Sequence, residues 1–289
     1  MSEKRKIGLV MEGGSMRGMF TVGVTDVMME NGIRFDGAIG VSAGAAFGCN
    51  IKSGQAGRAI RYNKRFCNDK RFVGIGNFIK TGNIYNAKFC YKTIPNELDI
   101  FDRETFKKNP MEFYVVATDL EKGCEVYYKL ENGDDEDIEL IRASASMPLL
   151  SKIVSVDGTK LLDGGIADSI PLKGFEKLGY NTNVVILTQP KGFIKEKNRH
   201  MKLIKFKYRK YPNFVGAVAD RHMKYNAETL YVARREEAGA AFVIRPPEPL
   251  NISGIIRDPE ELERVYQIGR KTMNEQLDEL KAFMKKARN

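Results

Sequence analysis

The stretch Gly40-Val41-Ser42-Ala43-Gly44 narrows the fold more than any other part of the chain. Residues 35–39 before it are an apolar run that reads as a buried strand, and the small residues 43–51 after it read as a helix. A serine on a sharp strand-to-helix turn is a nucleophile elbow. The glycines two positions to either side have a steric reason. The turn forces the serine into a strained backbone conformation, and flanking side chains would collide with it. The helix that starts there also directs its free amides and positive dipole end at anything attached to the hydroxyl oxygen. Alone the pattern is modest, since an inert serine in a tight turn satisfies it equally well. Its company decides.

Lys6-Ile7-Gly8-Leu9-Val10-Met11 is apolar nearly throughout, as expected of a central strand in a parallel sheet. Glu12-Gly13-Gly14-Ser15-Met16-Arg17-Gly18 follows, too glycine-rich to be regular. A helical pattern then runs over residues 19–31, with Phe20, Val24, Val27 and Met28 at helical spacing and Gly32 as a stop. Strand, loop, helix, strand, elbow and helix in this order predict an α/β fold, with a parallel sheet sandwiched by helices.

Further along, residues 57–66 look helical, and 74–91, rich in Gly, Asn and Lys, read as loops over one face. Residues 112–118 are a strand, and 124–130 alternate as its antiparallel neighbour. An acidic solvated turn is expected at 131–137 and a short helix at 138–146, halted by Pro148. Residues 151–156 and 159–162 form a hairpin about Asp157-Gly158. A short helix at 171–178 and a buried strand at 183–188 come next. The pattern closes with helices over 214–235 and 259–287 and a strand at 241–245 between them. The last helix, with Leu262, Val265, Met273 and Leu280, serves as core packing or a self-association face.

A serine hydroxyl needs a base within hydrogen-bond reach. The chain has two histidines, His200 among solvated cations and His222 between Arg221 and Met223, and both read as surface residues. Leu161-Leu162-Asp163-Gly164-Gly165 is better placed: its apolar residues put Asp163 at a strand end, and its glycines let backbone approach closely. An aspartate there takes the serine proton if its pKa is raised toward the working range; a simple turn is the alternative. The loop Gly13–Gly18 would then supply backbone donors for an oxyanion, with Arg17 neutralising charge or fixing the loop. Its spacing does not fit a dinucleotide cradle or a P-loop.

Together Gly13-Gly14-Ser15-Met16-Arg17-Gly18, Gly40-Val41-Ser42-Ala43-Gly44 and Asp163-Gly164-Gly165, in that order, resemble the patatin-like phospholipase family, particularly its bacterial members. Ala117-Thr118-Asp119-Leu120 and Ala143-Ser144-Ala145-Ser146-Met147-Pro148 add weaker likeness, and the resemblance covers residues 5–190 or so. It implies a lipid acyl hydrolase on a three-layer α/β/α sandwich with a mostly parallel sheet, with no metal or organic cofactor. By that likeness Ser42 is the nucleophile and Asp163 its base. The oxyanion hole would be formed around Gly13, Gly14, Ser15, Arg17 and Gly18 with Ala43, while Gly40, Gly44, Gly164 and Gly165 shape the elbow and the aspartate loop. The chain departs from the family at Ser15, where a glycine is usual. If that position needs positive φ, a serine costs on the order of 1 kcal/mol and could turn an amide away; alternatively its hydroxyl adds a donor.

The 289 residues contain no internal repeat and no dividing linker. A single domain is therefore expected: a patatin-like core over about 5–190, a basic segment at 191–211 and a C-terminal helical region at 213–289. The N-terminus runs straight into the first strand, which reads as no signal peptide, and no apolar run reaches the ~20 residues of a membrane span. Four cysteines without paired or metal-ligand spacing fit reduced thiols in a cytoplasm. Two histidines leave too little imidazole for a multi-histidine metal site. A net charge of +10 implies attraction to anionic surfaces. Residues 191–211, basic and interleaved with Phe193, Ile194, Leu203, Phe206 and Tyr208, are the candidate contact for an anionic membrane; a basic helix packed by its apolar side is the alternative. No nucleic-acid module surrounds the segment, which disfavours nucleic acid as a partner. Two rival functions stay open. One is an α/β-hydrolase with a Ser–Asp–His triad through His200 or His222; the other is a non-catalytic membrane-surface regulator on the same fold.

Overall fold

The computed structural model describes residues 6–288; the start Met1–Arg5, read above as leading into the first strand, lies outside them. Eight strands form one sheet: β1 (Ile7–Met11), β2 (Gly37–Val41), β3 (Glu112–Asp119), β4 (Glu125–Leu130), β5 (Val154–Val156), β6 (Thr159–Asp163), β7 (Thr182–Ile186) and β8 (Ala241–Ile244). β3, β2, β1, β7 and β8 lie side by side and parallel, with β1 central as its apolar sequence predicts.

Alternation along the strands sends side chains to two cores. Ile7, Leu9 and Met11 of β1 pack with the helices Gly18–Glu30, Ala43–Lys52, Asp135–Ser144 and Pro259–Glu275. Val10, Ile39, Val41 and Val185 face the helices Leu172–Lys177 and Pro212–Glu237. The result is a three-layer α/β/α sandwich.

β3 positions the site. Its residues 113–118 pair with antiparallel β4 along one edge. The other edge is shared: parallel β2 occupies it up to the pair Val41–Val116, and antiparallel β6 takes it from the pair Asp163–Ala117 onward. Two strands approaching from opposite directions thus end on adjacent steps of one ladder. The β5–β6 hairpin turns at Asp157-Gly158, both with positive φ (47° and 77°), as the dipeptide foretells.

Three expectations need correction. Residues 131–137 are only in part a solvated turn: Glu131, Asn132, Asp135 and Glu136 are exposed, but Asp134 caps the helix Asp135–Ser144 by accepting the amides of Glu136 and Asp137, and Asp137 turns inward to accept those of Asn132 and Gly133. Carboxylates gather there because a helix N-terminus presents free donors and positive potential. Residues 74–91 are not all loop; they hold the helix Ile75–Thr81, bounded by Gly74 and Gly82, and the start of a π-helical stretch Phe89–Leu98. Glycines at both helix ends imitate a loop in sequence. The final helix is broken at Gln276, and the second piece, Leu277–Arg288, brings Phe283 against Phe242 of β8 (ring centroids 5.7 Å apart).

Candidate active site

Ser42 follows β2 directly and precedes the helix Ala43–Lys52, with φ 54° and ψ −117°. A side chain is strained in that region. The flanking glycines let the turn close: a Cβ on Gly40 would sit 2.4 Å from the Gly44 carbonyl oxygen, and one on Gly44 2.4 Å from that of Met11. The Ser42 amide donates to Ser144 Oγ at 2.9 Å, which ties the elbow to the neighbouring helix.

Ser42 Oγ donates a 2.7 Å hydrogen bond to Asp163 Oδ2, and both residues are buried. The Asp163 main chain is held by its amide donating to Ser146 O (2.9 Å) and its carbonyl accepting from Thr118 Oγ1 (2.8 Å). The Gly165 amide donates to Asp163 Oδ1 at 2.8 Å. Gly164 lies so close to β3 that a Cβ would stand 2.1 Å from Val116 O. Burial raises the Asp163 pKa above its ordinary value; the Ser42 hydroxyl, the Arg221 guanidinium and the Gly165 amide oppose that rise.

The glycine loop packs on the elbow, with Gly13 near enough that a Cβ would meet Ser42 Cβ at 3.1 Å. Among the described residues the Gly13 and Gly14 amides donate to no protein acceptor, and the Ala43 amide, in the first turn of its helix, has no intrahelical acceptor. Ser15 begins a 3₁₀ turn, Ser15–Arg17, with φ 51°. That position therefore does adopt positive φ, and the serine hydroxyl, at the wall of the cleft, donates to Gly254 O at 2.7 Å. The Gly18 amide is engaged by the Ser15 carbonyl. Arg17 is half-buried beside Glu12 and lowers that residue's otherwise burial-raised pKa.

His200 is exposed at the start of the helix Met201–Lys207, and His222 Nδ1 lies 3.0 Å from Ala219 O on its own helix. Among the described residues neither histidine hydrogen-bonds to Ser42 or Asp163. Sequence reasoning missed Glu12, Ser144 and Arg221. For Arg221 a signal existed, since it stands in register with Phe214, Val218 and Val232 on the buried stripe of its helix.

Ser42 opens into a cleft of about 1070 Å³, open solvent at its mouth included, walled by apolar residues such as Met16, Phe47, Phe72, Ile94 and Phe101. Residues 191–211 divide in two. Lys195 is largely buried, its Nζ 4.4 Å from the Tyr225 ring centroid. The helix Met201–Lys207 is anchored by buried Ile204 and exposes Leu203 and Phe206 (71%).

A family profile described as patatin-like phospholipase matches residues 9–175, and a second, described as a domain of unknown function, matches residues 211–285. The chain is 33% identical over 202 residues to an uncharacterized protein, YjjU, of Escherichia coli, covering 64% of this chain and 52% of that protein. It is 27% identical over 191 residues to an uncharacterized NTE family protein of Mycobacterium tuberculosis, covering 66% and 51%. It is also 27% identical over 186 residues to lysophospholipase nte1 of Aspergillus niger, covering 61% of this chain and 11% of that one. The chain thus spans about half the length of the bacterial relatives it matches. Among solved structures, VipD from Legionella pneumophila superposes with a TM-score of 0.46 at 15% identity, covering 95% of this chain and 67% of that one.

Proposed function

The chain belongs to the patatin-like phospholipase family, and on that premise we propose that it is a serine lipid acyl hydrolase working through a Ser42–Asp163 dyad. The observation that carries the reading is the 2.7 Å hydrogen bond from Ser42 Oγ to Asp163 Oδ2, beneath free loop amides and beside an apolar cleft.

Ser42 Oγ attacks the ester carbonyl as its proton passes to Asp163. The amides of Gly13 and Gly14, with that of Ala43, receive the developing oxyanion. Collapse expels the alcohol, which takes the proton back from Asp163 and leaves an acyl group on Ser42. Water then attacks that acyl group, giving its proton to Asp163, and the carboxylic acid departs as Ser42 is restored. An aspartate does the work of histidine only if burial brings its basicity toward neutral pH, and burial is the largest influence on Asp163. Because the ionised form is the base, kcat/KM falls on acidification through a pKa above the ordinary 3.8 of this group.

The substrate is a lipid acyl ester whose chain lies in the cleft. Each methylene buried there is worth about 0.8 kcal/mol, so kcat/KM rises about fourfold per methylene until the cleft is filled. An anionic membrane is the proposed site of encounter. The helices Met201–Lys207 and Ile75–Thr81 both hang on residues 147–152, which line the cleft through Met147 and Ser151. Leu149 N–H donates to Tyr208 Oη (3.1 Å), and Ile84 N–H to Leu150 O (2.8 Å). The exposed faces of these helices carry Leu203, Phe206, Ile75 and Ile79 among Lys80, Lys202 and Lys205.

A fluorophosphonate probe and a panel of p-nitrophenyl and phospholipid esters test the reading. Expected are labelling at Ser42, hydrolysis favouring medium and long acyl chains, and loss of about 10³-fold or more in kcat for Ser42→Ala and Asp163→Asn. Undiminished turnover in Ser42→Ala sinks the proposal. Labelling of Ser42 without turnover of any ester favours a non-catalytic lipid-surface role.

A further inference from the structure

The helix Pro212–Glu237 runs along the side of the sheet facing the second core, inside the segment matched by the profile of unknown function. Its inner stripe reads Phe214, Val218, Arg221, Tyr225, Glu228, Val232, at steps of four and three. Phe214, Val218 and Val232 are buried apolar anchors. The three polar residues between them sit where a core helix normally presents leucine or valine, and such placement is costly unless each group is paired.

Each is paired, and each reaches a different part of the site. Arg221 Nε donates to Gly165 O, in the turn whose amide holds Asp163 Oδ1, and its charge faces Asp163. Tyr225 Oη donates to Glu12 Oε1 at 2.8 Å. Glu12 is the residue before Gly13, and its other oxygen accepts the Thr188 amide. Glu228 Oε2 accepts the amides of Ser169 and Ile170, both at 3.1 Å, just beyond the aspartate turn. Lys195 stacks over Tyr225 and lies between the charges of Glu12, Arg17, Arg221 and Glu228, while Asp168 and Lys224 face Glu228.

We propose that the helix Pro212–Glu237 is a positioning element of the acyl-transfer site: Arg221 holds the turn that carries Asp163 and presents its charge to that carboxylate, while Tyr225 holds the root of the glycine loop through Glu12. The segment of unknown function thereby completes the site, and core and C-terminal region act as one domain. The inference rests on the Ser42–Asp163 reading above. It makes a distinct demand: the two ends of the dyad machinery respond differently to changes on one helix. Loss of Arg221 strips Asp163 of its facing cation and makes the base harder to ionise. Loss of the Tyr225 hydroxyl loosens the donors without touching the base.

The test uses the full chain and two readouts, ester turnover and the rate of Ser42 labelling by a fluorophosphonate, each followed from pH 5 to 9.5. For Arg221→Met the acid limb of kcat/KM and of labelling moves up by about one pH unit. Activity then falls by up to about tenfold on the acid limb and recovers to within about threefold at the alkaline end; Arg221→Lys reverses most of the shift. For Tyr225→Phe, kcat falls about tenfold with KM within about twofold and the pH profile unmoved. Met223→Ala, on the exposed side of the same helix, behaves as wild type. Equal loss at every pH in both Arg221 variants, or a change in KM alone for Tyr225→Phe, overturns the proposal. A wild type that labels with the stated pH response but turns over no ester keeps this inference and removes hydrolysis. A wild type whose Ser42 does not label removes both.

Discussion

At the scale of single residues, the loop and the elbow that face each other are both strained. Ser15 and Ser42 both hold positive φ, at 51° and 54°. Ser42 has to carry its hydroxyl, but Ser15 stands where the family places glycine, and its compensation is the bond to Gly254 O. Relief of strain in Ser15→Gly is worth about 1 kcal/mol and loss of that hydrogen bond costs about the same. The expected result is a melting temperature within a few degrees of wild type and turnover within about twofold. Ser15→Ala keeps the strain and loses the bond, so it is the less stable variant by roughly 1 kcal/mol in denaturant titration. Ser42 and Asp163 could be picked from the sequence because glycine sterics and strand ends advertise them. Arg221 and Tyr225 carry a fainter sign, their register with Phe214, Val218 and Val232, and it is easily passed over because a polar residue in a helix looks solvated until its stripe is shown to face inward.

Among the elements, the joint between the helices Gly18–Glu30 and Pro259–Glu275 has its own pH response. Asp26 Oδ2 accepts the Tyr266 hydroxyl and the Gly57 amide, both at 2.9 Å, and burial raises the Asp26 pKa from 3.8 to about 6. The folded chain therefore holds this proton more tightly than the unfolded one. The stability so contributed is complete below about pH 4 and is lost as pH climbs through about 6, amounting to roughly 3 kcal/mol. Asp26→Asn keeps the accepting oxygen and carries no charge. Its stability relative to wild type rises across that interval, measured as the difference in unfolding free energy at pH 4 and pH 8. The helix over 259–275 and the strands of the sheet were legible because their apolar spacing is regular. The helix Ile75–Thr81 was not, since its apolar residues point outward and its ends are glycines.

For the whole molecule, the excess of basic residues gives the membrane proposal its measurable consequence. Co-flotation with vesicles containing phosphatidylserine is expected at low salt and is lost at high salt. Replacing Lys202 and Lys205 by Glu lowers partitioning tenfold or more, at about 1 kcal/mol per basic residue, and binding indifferent to anionic lipid removes the membrane from the proposal. The class of fold follows from the alternation of elements, but the sharing of one β3 edge by β2 and β6 has no local sequence sign, since it is a property of pairing across 121 positions. That shared edge makes the site a gauge of correct assembly. A slip of either strand by one rung would separate hydroxyl from carboxylate by about 3.3 Å and turn one of them to the opposite side. A chain mispaired at this seam is chemically silent however compact it becomes, so reactivity toward an ester counts only those molecules whose sheet has closed in register.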